Sequence, residues 1–266
     1  MNNDKYFVKH IGTNWQHAHK GVITEIPVSL TVNGELWLTF MCTPNYLEAL
    51  AVGFLYNEEV ISSLDEIATV RLCESGDNID VWLNIPVTKP TNWIRTSGCT
   101  GGFSISDEIK NIKPELNGVS IGPNDIKHLM RQLLESQELH QQVGGVHTSG
   151  LSDGDQTLLI CEDVGRHNTL DKLAGRCLLE NVQLKQKILL TTGRISSEML
   201  QKSARIGAAI VISHTAATSL AIELAEKWGI TLIGYARRDR FNIYTYPDRI
   251  LTAPKIDNPF EIKPIE

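Results

Sequence analysis

No stretch of this sequence stays apolar for the roughly 20 residues that a membrane-spanning helix needs. The opening residues, Met1-Asn-Asn-Asp-Lys-Tyr6, carry neither the apolar core nor the small-residue cleavage site of a secretory leader. A cytoplasmic protein without a membrane partner is therefore expected. Cysteine is sparse and unpaired in pattern. The five residues, at positions 42, 73, 99, 161 and 177, form no short metal-ligand pair, and an odd number suits a reducing compartment better than a disulfide framework. No metal is expected. Positive charge is also in deficit, because the formal net charge of -6 argues against a general nucleic-acid binder, which is normally basic. Internal repeats and low-complexity tracts are missing, so solenoids and flexible arrays are excluded.

What remains is an ordinary globular composition. The chain has 266 residues, 42% hydrophobic and 21% charged, enough for one large domain or two modest ones. Charge is unevenly spread, with eight basic against five acidic residues from Arg194 to Arg249. A locally cationic stretch in an acidic protein points to an anionic small-molecule ligand. Cys42, Cys73, Cys161 and Cys177 have apolar neighbours and read as small core residues, whereas Cys99 does not.

Residues 22 to 32 and 36 to 41 read as strands joined by the hairpin signal Asn33-Gly34. A helix opening at Thr43-Pro44 follows, with Leu47, Leu50, Ala51 and Phe54 on one face, and then a β pair near 68 to 73 and 79 to 85. The order ββαββ predicts a small α+β roll, assigned to residues 1–110. A polar linker around 111 to 123 separates it from a second domain, 111–266. There Asn124 is expected to cap a helix striped by Ile126, Leu129, Met130, Leu133 and Leu134. Val146-His147-Thr148 and Thr157 to Cys161 are expected to pair as a hairpin. Regular alternation follows: helix 168 to 180, strand 187 to 191, helix 196 to 206, strand 208 to 213, helix 218 to 228, strand 230 to 235, with a further strand at 242 to 246. Such βα alternation predicts an α/β domain with a mostly parallel sheet covered on both faces.

In that fold, ligands gather outside the carboxyl ends of the strands. The segment Thr157 to Lys172 runs from a strand directly into Glu162, Asp163, Arg166, His167, Asn168, Asp171 and Lys172. Two readings fit: a binding or reactive loop, or a buried salt-bridge network with Asn168 as a helix cap. The other strands end in Thr192-Gly193-Arg194, in His214-Thr215 and in Tyr235-Ala236-Arg237-Arg238-Asp239-Arg240. Helix N-termini with hydroxyls and nearby guanidinium groups suit phosphate, which arginine grips bidentately. Ser196 and Thr218 are equally good as plain helix caps, and His147, His167 and His214 as hydrogen-bonded structural residues. A separate loop, Arg95-Thr-Ser-Gly-Cys-Thr-Gly-Gly102, sets one cysteine among small residues. Converging backbone N–H groups beside Arg95 would favour the Cys99 thiolate, while the alternative is a tight turn with an idle thiol.

The combination of Thr96-Ser-Gly-Cys99, Glu162-Asp-Val-Gly-Arg-His-Asn168 with Asp171-Lys172, Thr192-Gly-Arg-Ile-Ser-Ser-Glu-Met199 and Thr218-Ser-Leu-Ala221 resembles the FdhD family, the formate dehydrogenase accessory sulfurtransferases. Pro27 to Glu35, Thr43-Pro44 and Gly53-Phe-Leu55 match as well, so the similarity spans about residues 22 to 250. The resemblance implies a sulfurtransferase that takes persulfide sulfur from a cysteine desulfurase and passes it to a bis(molybdopterin guanine dinucleotide) molybdenum cofactor for formate dehydrogenase. It further implies a three-layer cytidine-deaminase-like second domain and a homodimer. Cys99 would carry the persulfide. Tyr235, Ala236, Arg237, Arg238, Asp239 and Arg240 would form the cofactor segment, with Thr192, Gly193, Arg194, Asp163, Arg166 and His167 also at the site, and GDP or GMP would be surrogate ligands. Some family members carry Cys-x-x-Cys in the reactive loop, and Gly102 stands at the second position here. Cys99 then acts alone or with another thiol. A non-catalytic cofactor chaperone is the competing reading. A zinc deaminase is disfavoured, since its His-x-Glu and Pro-Cys-x-x-Cys ligand set is missing from the sequence.

Overall fold

The computed structural model describes residues 4–89, 119–182 and 187–252, together with the backbone of 94–95 and 103–104. The expected roll is present. Strands β3 (Ile26–Val32) and β4 (Glu35–Cys42) follow an N-terminal hairpin of β1 (Asp4–Ile11) and β2 (Asn14–Gly21), to which the sequence reading gave no element. That hairpin is exposed along almost its whole length, so it has no buried face to betray it by alternation. The β3–β4 turn has Asn33 and Gly34 at φ of 50° and 81°, the double left-handed geometry that explains why Asn-Gly occupies it. Helix α1 (Leu47–Asn57) and strands β5 (Ile67–Leu72) and β6 (Asn78–Leu83) complete a sheet ordered β4-β3-β6-β5, in which β3 and β6 run parallel.

Helix α1 starts at Leu47, three residues after Pro44, because Tyr46 takes a left-handed conformation and the turn ahead of it is not helical. All four residues of the expected apolar face are buried, and so are Ala49, Val52, Gly53 and Leu55. A helix buried around its circumference has cover on two sides. One is the roll sheet, which shares an apolar cluster with it. The other is a helix of the second domain.

Strands β7 (Ile94–Arg95) and β8 (Phe103–Ser104) pair antiparallel, with Arg95 opposite Phe103. Cys99 and the domain boundary expected at 110/111 lie outside the described residues. The second domain begins with α2 (Pro123–Glu135), two residues earlier than a cap at Asn124 implies. Gly122, not Asn124, is the cap, Pro123 takes the first helical position, and Asp125 accepts the Gly122 N–H at 3.2 Å. A short α3 (Glu138–Val143) leads to the hairpin β9 (His147–Ser152) and β10 (Thr157–Asp163). Helix α4 (Arg166–Leu179), β11 (Ile188–Thr191), α5 (Ser197–Ile206), β12 (Ile210–Ser213), α6 (Ser219–Trp228), β13 (Thr231–Gly234) and β14 (Asn242–Ile243) follow.

The sheet order is β10-β9-β11-β12-β13-β14. Only the β11–β12 and β12–β13 pairs are parallel, because β9 inserts antiparallel between β10 and β11 and β14 closes the far edge antiparallel. Four strands, β10 to β13, nevertheless point the same way. Leu189, Val211 and Leu232 face the cluster with α4, α5 and α6, while Ile188, Leu190, Ile210, Ile212 and Ile233 face the α2 cluster, giving three layers.

The roll and the second domain meet where α1 crosses α4. A Cβ on Gly53 would lie 1.7 Å from the Asp171 carbonyl oxygen, and one on Gly175 would lie 1.9 Å from that of Ala49. The backbones touch. Glycine inside a helix costs about 1 kcal/mol relative to alanine, which this close packing offsets.

Candidate functional site at the strand ends

The shared direction of β10 to β13 brings Asp163, Thr191, Ser213 and Gly234 to one edge of the sheet, with His147 at the start of β9 opposite Asp163. The loops beyond them are bonded to one another. Ser213 Oγ donates to the Gly193 carbonyl at 2.8 Å, the Thr192 N–H to the Thr148 carbonyl at 2.9 Å, and the Tyr235 N–H to the Thr215 carbonyl at 2.8 Å. The Ala236 N–H donates to the Ser213 carbonyl at 3.0 Å, and a His214 ring nitrogen reaches the Ala236 carbonyl at 3.0 Å. Gly193 is pressed against the first turn of α4, where a Cβ would sit 3.1 Å from Arg166 Cβ and 3.6 Å from His147 Nδ1. The expected convergence of four loops is thus a property of the fold.

Within this rim the candidates divide by exposure. Arg194, Tyr235, Arg237, Arg238, Asp239 and Arg240 are exposed, whereas Ala236 is buried and positions its neighbours through the backbone. Tyr235 has a left-handed φ of 52°, and the Arg237 N–H closes a turn on the Arg240 carbonyl at 2.8 Å. Thr192 is half-buried, its hydroxyl accepting the Thr148 N–H at 3.0 Å. Ser196 and Thr218 are caps: their hydroxyls accept the N–H groups of Met199 at 3.4 Å and Ala221 at 3.3 Å.

The densest part of the sequence, Glu162 to Lys172, is mostly interior. Asp163, expected at the binding surface, is 0% exposed. One carboxylate oxygen accepts the Thr43 N–H at 3.0 Å and Lys172 Nζ at 2.5 Å, and the other accepts the Gly165 N–H at 2.7 Å and Asn168 Nδ2 at 2.8 Å. It holds the β10–α4 turn to the roll and reaches no surface. Lys172, also 0% exposed, adds the Thr43 carbonyl at 2.9 Å and Asn45 Oδ1 at 2.5 Å. Asn168 is not the cap. Helix α4 begins two residues earlier, and Asn168 instead donates to Asp163 and to the Met41 carbonyl. Glu162 accepts the Leu139 and His140 N–H groups at 2.7 and 3.0 Å, anchoring α3.

Further along α4, Asp171 binds Lys202 Nζ at 2.6 Å, and Glu58 faces the same ammonium at 3.2 Å. Burial opposes the Lys202 charge, but two carboxylates around it outweigh that and hold its pKa above the usual value. Burial pushes the Asp171 carboxyl up. His167 is buried, Nε2 has no hydrogen-bond partner among the described residues, and burial first, then neighbouring Lys202 and Arg166, pushes its pKa down to about 3. His147 is lowered too, by burial first and Arg166 second. Both imidazoles are neutral at neutral pH.

Among the described cysteines, Cys42 and Cys161 are buried and their thiols are pushed up to about 12 and about 11, chiefly by desolvation. Cys177 is half-buried and also raised. Cys73 is not a core residue. It lies partly exposed in the β5–β6 turn, its sulfur 3.0 Å from Asp77 Oδ1 and 3.1 Å from the Asn78 nitrogen. No cluster of His, Cys, Asp and Glu among the described residues is arranged to hold a metal ion.

The FdhD/NarQ family model matches residues 23–251, almost the whole of both domains. The chain belongs to that family. It is 40% identical over 235 residues to the sulfur carrier protein FdhD of Bacillus subtilis, covering 86% of this chain and 90% of the relative. It is 35% identical over 237 residues to the sulfur carrier protein FdhD of a Staphylococcus aureus strain, over 87% and 89% of the two chains. A crystal structure of a candidate formate dehydrogenase accessory protein from Desulfotalea psychrophila superposes with a TM-score of 0.80 at 31% identity, covering 93% of this chain and 98% of that one. The N-terminal hairpin, residues 4–21, lies ahead of the family match.

For Asp163, Asp171 and Lys172 the structure matches the second of the two readings, a buried salt-bridge network, though without Asn168 as its cap. Thr43 and Asn45, some 120 residues from Asp163 and Lys172 in the chain, complete their cage, and no local pattern announces such a contact.

Proposed function

We propose that this FdhD-family protein is a persulfide-carrying sulfurtransferase, with Cys99 as carrier, a cysteine desulfurase as donor and the molybdenum of a bis(molybdopterin guanine dinucleotide) cofactor destined for formate dehydrogenase as acceptor. The observation that supports it most is the rim at the strand ends, where loops bonded to one another carry the exposed guanidinium groups of Arg194, Arg237, Arg238 and Arg240. Such a rim suits the phosphate groups of a guanylated pterin.

In the first step, the Cys99 thiolate attacks the outer sulfur of the desulfurase persulfide. A new S–S bond forms at Cys99, the S–S bond of the donor breaks, and the donor cysteine leaves as thiolate, with no net oxidation. In the second, the S–S bond at Cys99 breaks with its electron pair returning to the Cys99 thiolate, and the outer sulfur would bond to the cargo's reduced molybdenum, which would supply the two electrons that bring it to sulfide. Arg237, Arg238, Arg240 and Arg194 hold the cargo's anionic groups. Arg166 and neutral His147 lie beside Gly193, while Asp163 positions the turn that carries Arg166 and His167. The raised thiols of Cys42 and Cys161 make them poor carriers, since the thiolate is the nucleophile.

The test is Cys99→Ala in cells that depend on formate dehydrogenase. Loss of formate dehydrogenase activity with GDP binding retained supports the carrier. Retained activity makes the protein a cofactor chaperone and overturns the proposal.

A further inference from the structure

We infer, taking the strand-end rim as the cargo site, that the N-terminal hairpin of β1 and β2 is a docking arm that enters an acidic-walled cleft of the enzyme receiving the cargo. The hairpin forms a two-stranded sheet of its own and belongs to neither large sheet. A lone two-stranded hairpin is marginally stable in water, and clustered apolar side chains left in solvent mark a contact surface. Tyr6 is 86% and Trp15 71% exposed, with Phe7, Val8 and Ile11 exposed beside them. These residues lie ahead of the family match, so the hairpin adds a contact rather than a chemical step.

The pairing register sorts the side chains onto two faces. Tyr6 lies opposite His19, Val8 opposite His17 and Trp15 opposite His10, which makes one face aromatic. Its rings are already ordered, with Tyr6 stacked on His19 at 4.4 Å and Trp15 tilted on His10 at 4.6 Å. Phe7 and Ile11 share the other face with Lys5, Lys9 and Lys20. Lys5 pairs directly with Lys20, a placement in which like charges destabilise a hairpin. Asp4, the single carboxylate between residues 4 and 21, faces His19 at 3.7 Å on the aromatic side. None of the three lysines has an ion pair among the described residues, so carboxylates of a partner would relieve the repulsion.

Apolar side chains on both faces fit a cleft, since a flat surface would cover only one of them. The cations stand on a chain whose net charge is -6. A long polyanion that reached them would also meet the acidic body, whereas a protein's carboxylates are confined to one wall. Tyrosine and tryptophan carry a large share of the binding energy at protein interfaces. Placement selects the partner. A Cβ on Gly21, at the hairpin's base, would lie 3.1 Å from Val143, and one on Gly145 would lie 3.4 Å from Ile23. His147 follows Gly145 by two residues, a span of at most about 7 Å, and stands at the strand-end rim opposite Asp163. An enzyme that grips the hairpin is thereby held beside the cargo it takes up, at a raised effective concentration.

Formate dehydrogenase prepared without its cofactor is titrated calorimetrically with the full chain and with two variants, Lys5→Glu/Lys9→Glu/Lys20→Glu and Tyr6→Ser/Trp15→Ser. All five side chains face solvent, so neither variant opens the core. Each is expected to raise the Kd about tenfold or more, and added salt is expected to weaken the wild type far more than the lysine variant. No binding of the wild type, or an unchanged Kd in either variant, would overturn the inference. Self-association, or sedimentation with phosphatidylglycerol vesicles, that is lost in the same variants would overturn it equally. Persulfide loading of Cys99 by a cysteine desulfurase is expected to be unchanged in both variants, and slower loading would assign the hairpin to the donor instead. Failure of the wild type to load would strike the carrier reading and leave the docking result standing.

Discussion

Replacing Asp163 by Asn tests whether the family's acidic-basic run is architecture. Both Asp163 and Lys172 are 0% exposed, and the carboxylate accepts four hydrogen bonds from Thr43, Lys172, Gly165 and Asn168. Asn preserves the shape but removes the charge facing the ammonium. Its amide NH2 must also point at one of the two pairs of donors, so two acceptor interactions become donor against donor. Stranding one member of a buried pair costs about 3–5 kcal/mol, a large share of the roughly 5–15 kcal/mol by which a domain is stable. Urea unfolding of the wild type, Asp163→Asn, Lys172→Met and the double variant completes a cycle. The double variant is expected to be less destabilised than the sum of the singles, because it leaves no lone buried charge whereas each single does. A loss below about 1 kcal/mol for Asp163→Asn, with additive singles, would show that the pair does not anchor the turn to the roll.

Other outcomes follow from the same structure. Gly175→Ala puts a methyl group 1.9 Å from the Ala49 carbonyl oxygen and is expected to destabilise by about 3 kcal/mol or more, read as a fall in Tm; a rise would contradict the close helix crossing. His167 has a folded pKa of about 3, below its unfolded value near 6.5. The unfolded state therefore binds the proton first, and stability is expected to fall by about 1.4 kcal/mol per pH unit as pH drops from 6.5 towards 3. Denaturation curves of His167→Gln should show a shallower decline, and an identical one would refute the assignment. Removing the exposed guanidinium groups with Arg237→Ala/Arg240→Ala is expected to weaken GDP binding at least about tenfold while leaving Tm within a degree or two; unaltered GDP affinity would remove the rim from the cargo site.

Periodicity and turn chemistry made much of this fold legible. The Asn33-Gly34 turn, the α1 face, the caps Ser196 and Thr218 and the βα alternation after residue 187 all follow from local rules that the structure obeys. Direction is what local rules do not encode. The antiparallel insertion of β9 between β10 and β11 leaves the carboxyl ends of β10 to β13 on one edge, so the rim survives although three of the five strand pairings are antiparallel. Residue roles were harder. In sequence Asp163 and Lys172 fit a reactive loop and a buried ion pair equally by residue type, and Thr43 and Asn45, from the other domain, close the cage that decides for the pair. The glycines at 53 and 175 find their purpose in the α1–α4 crossing, which no local pattern shows.

The most direct test of the central claim is peptide mass spectrometry after incubation with a cysteine desulfurase and cysteine. One extra sulfur atom on the peptide containing Cys99, lost on reduction and not found on Cys42, Cys73, Cys161 or Cys177, is the predicted result. Sulfur carried by Cys73 or another of these thiols, with Cys99 unmodified, would contradict it.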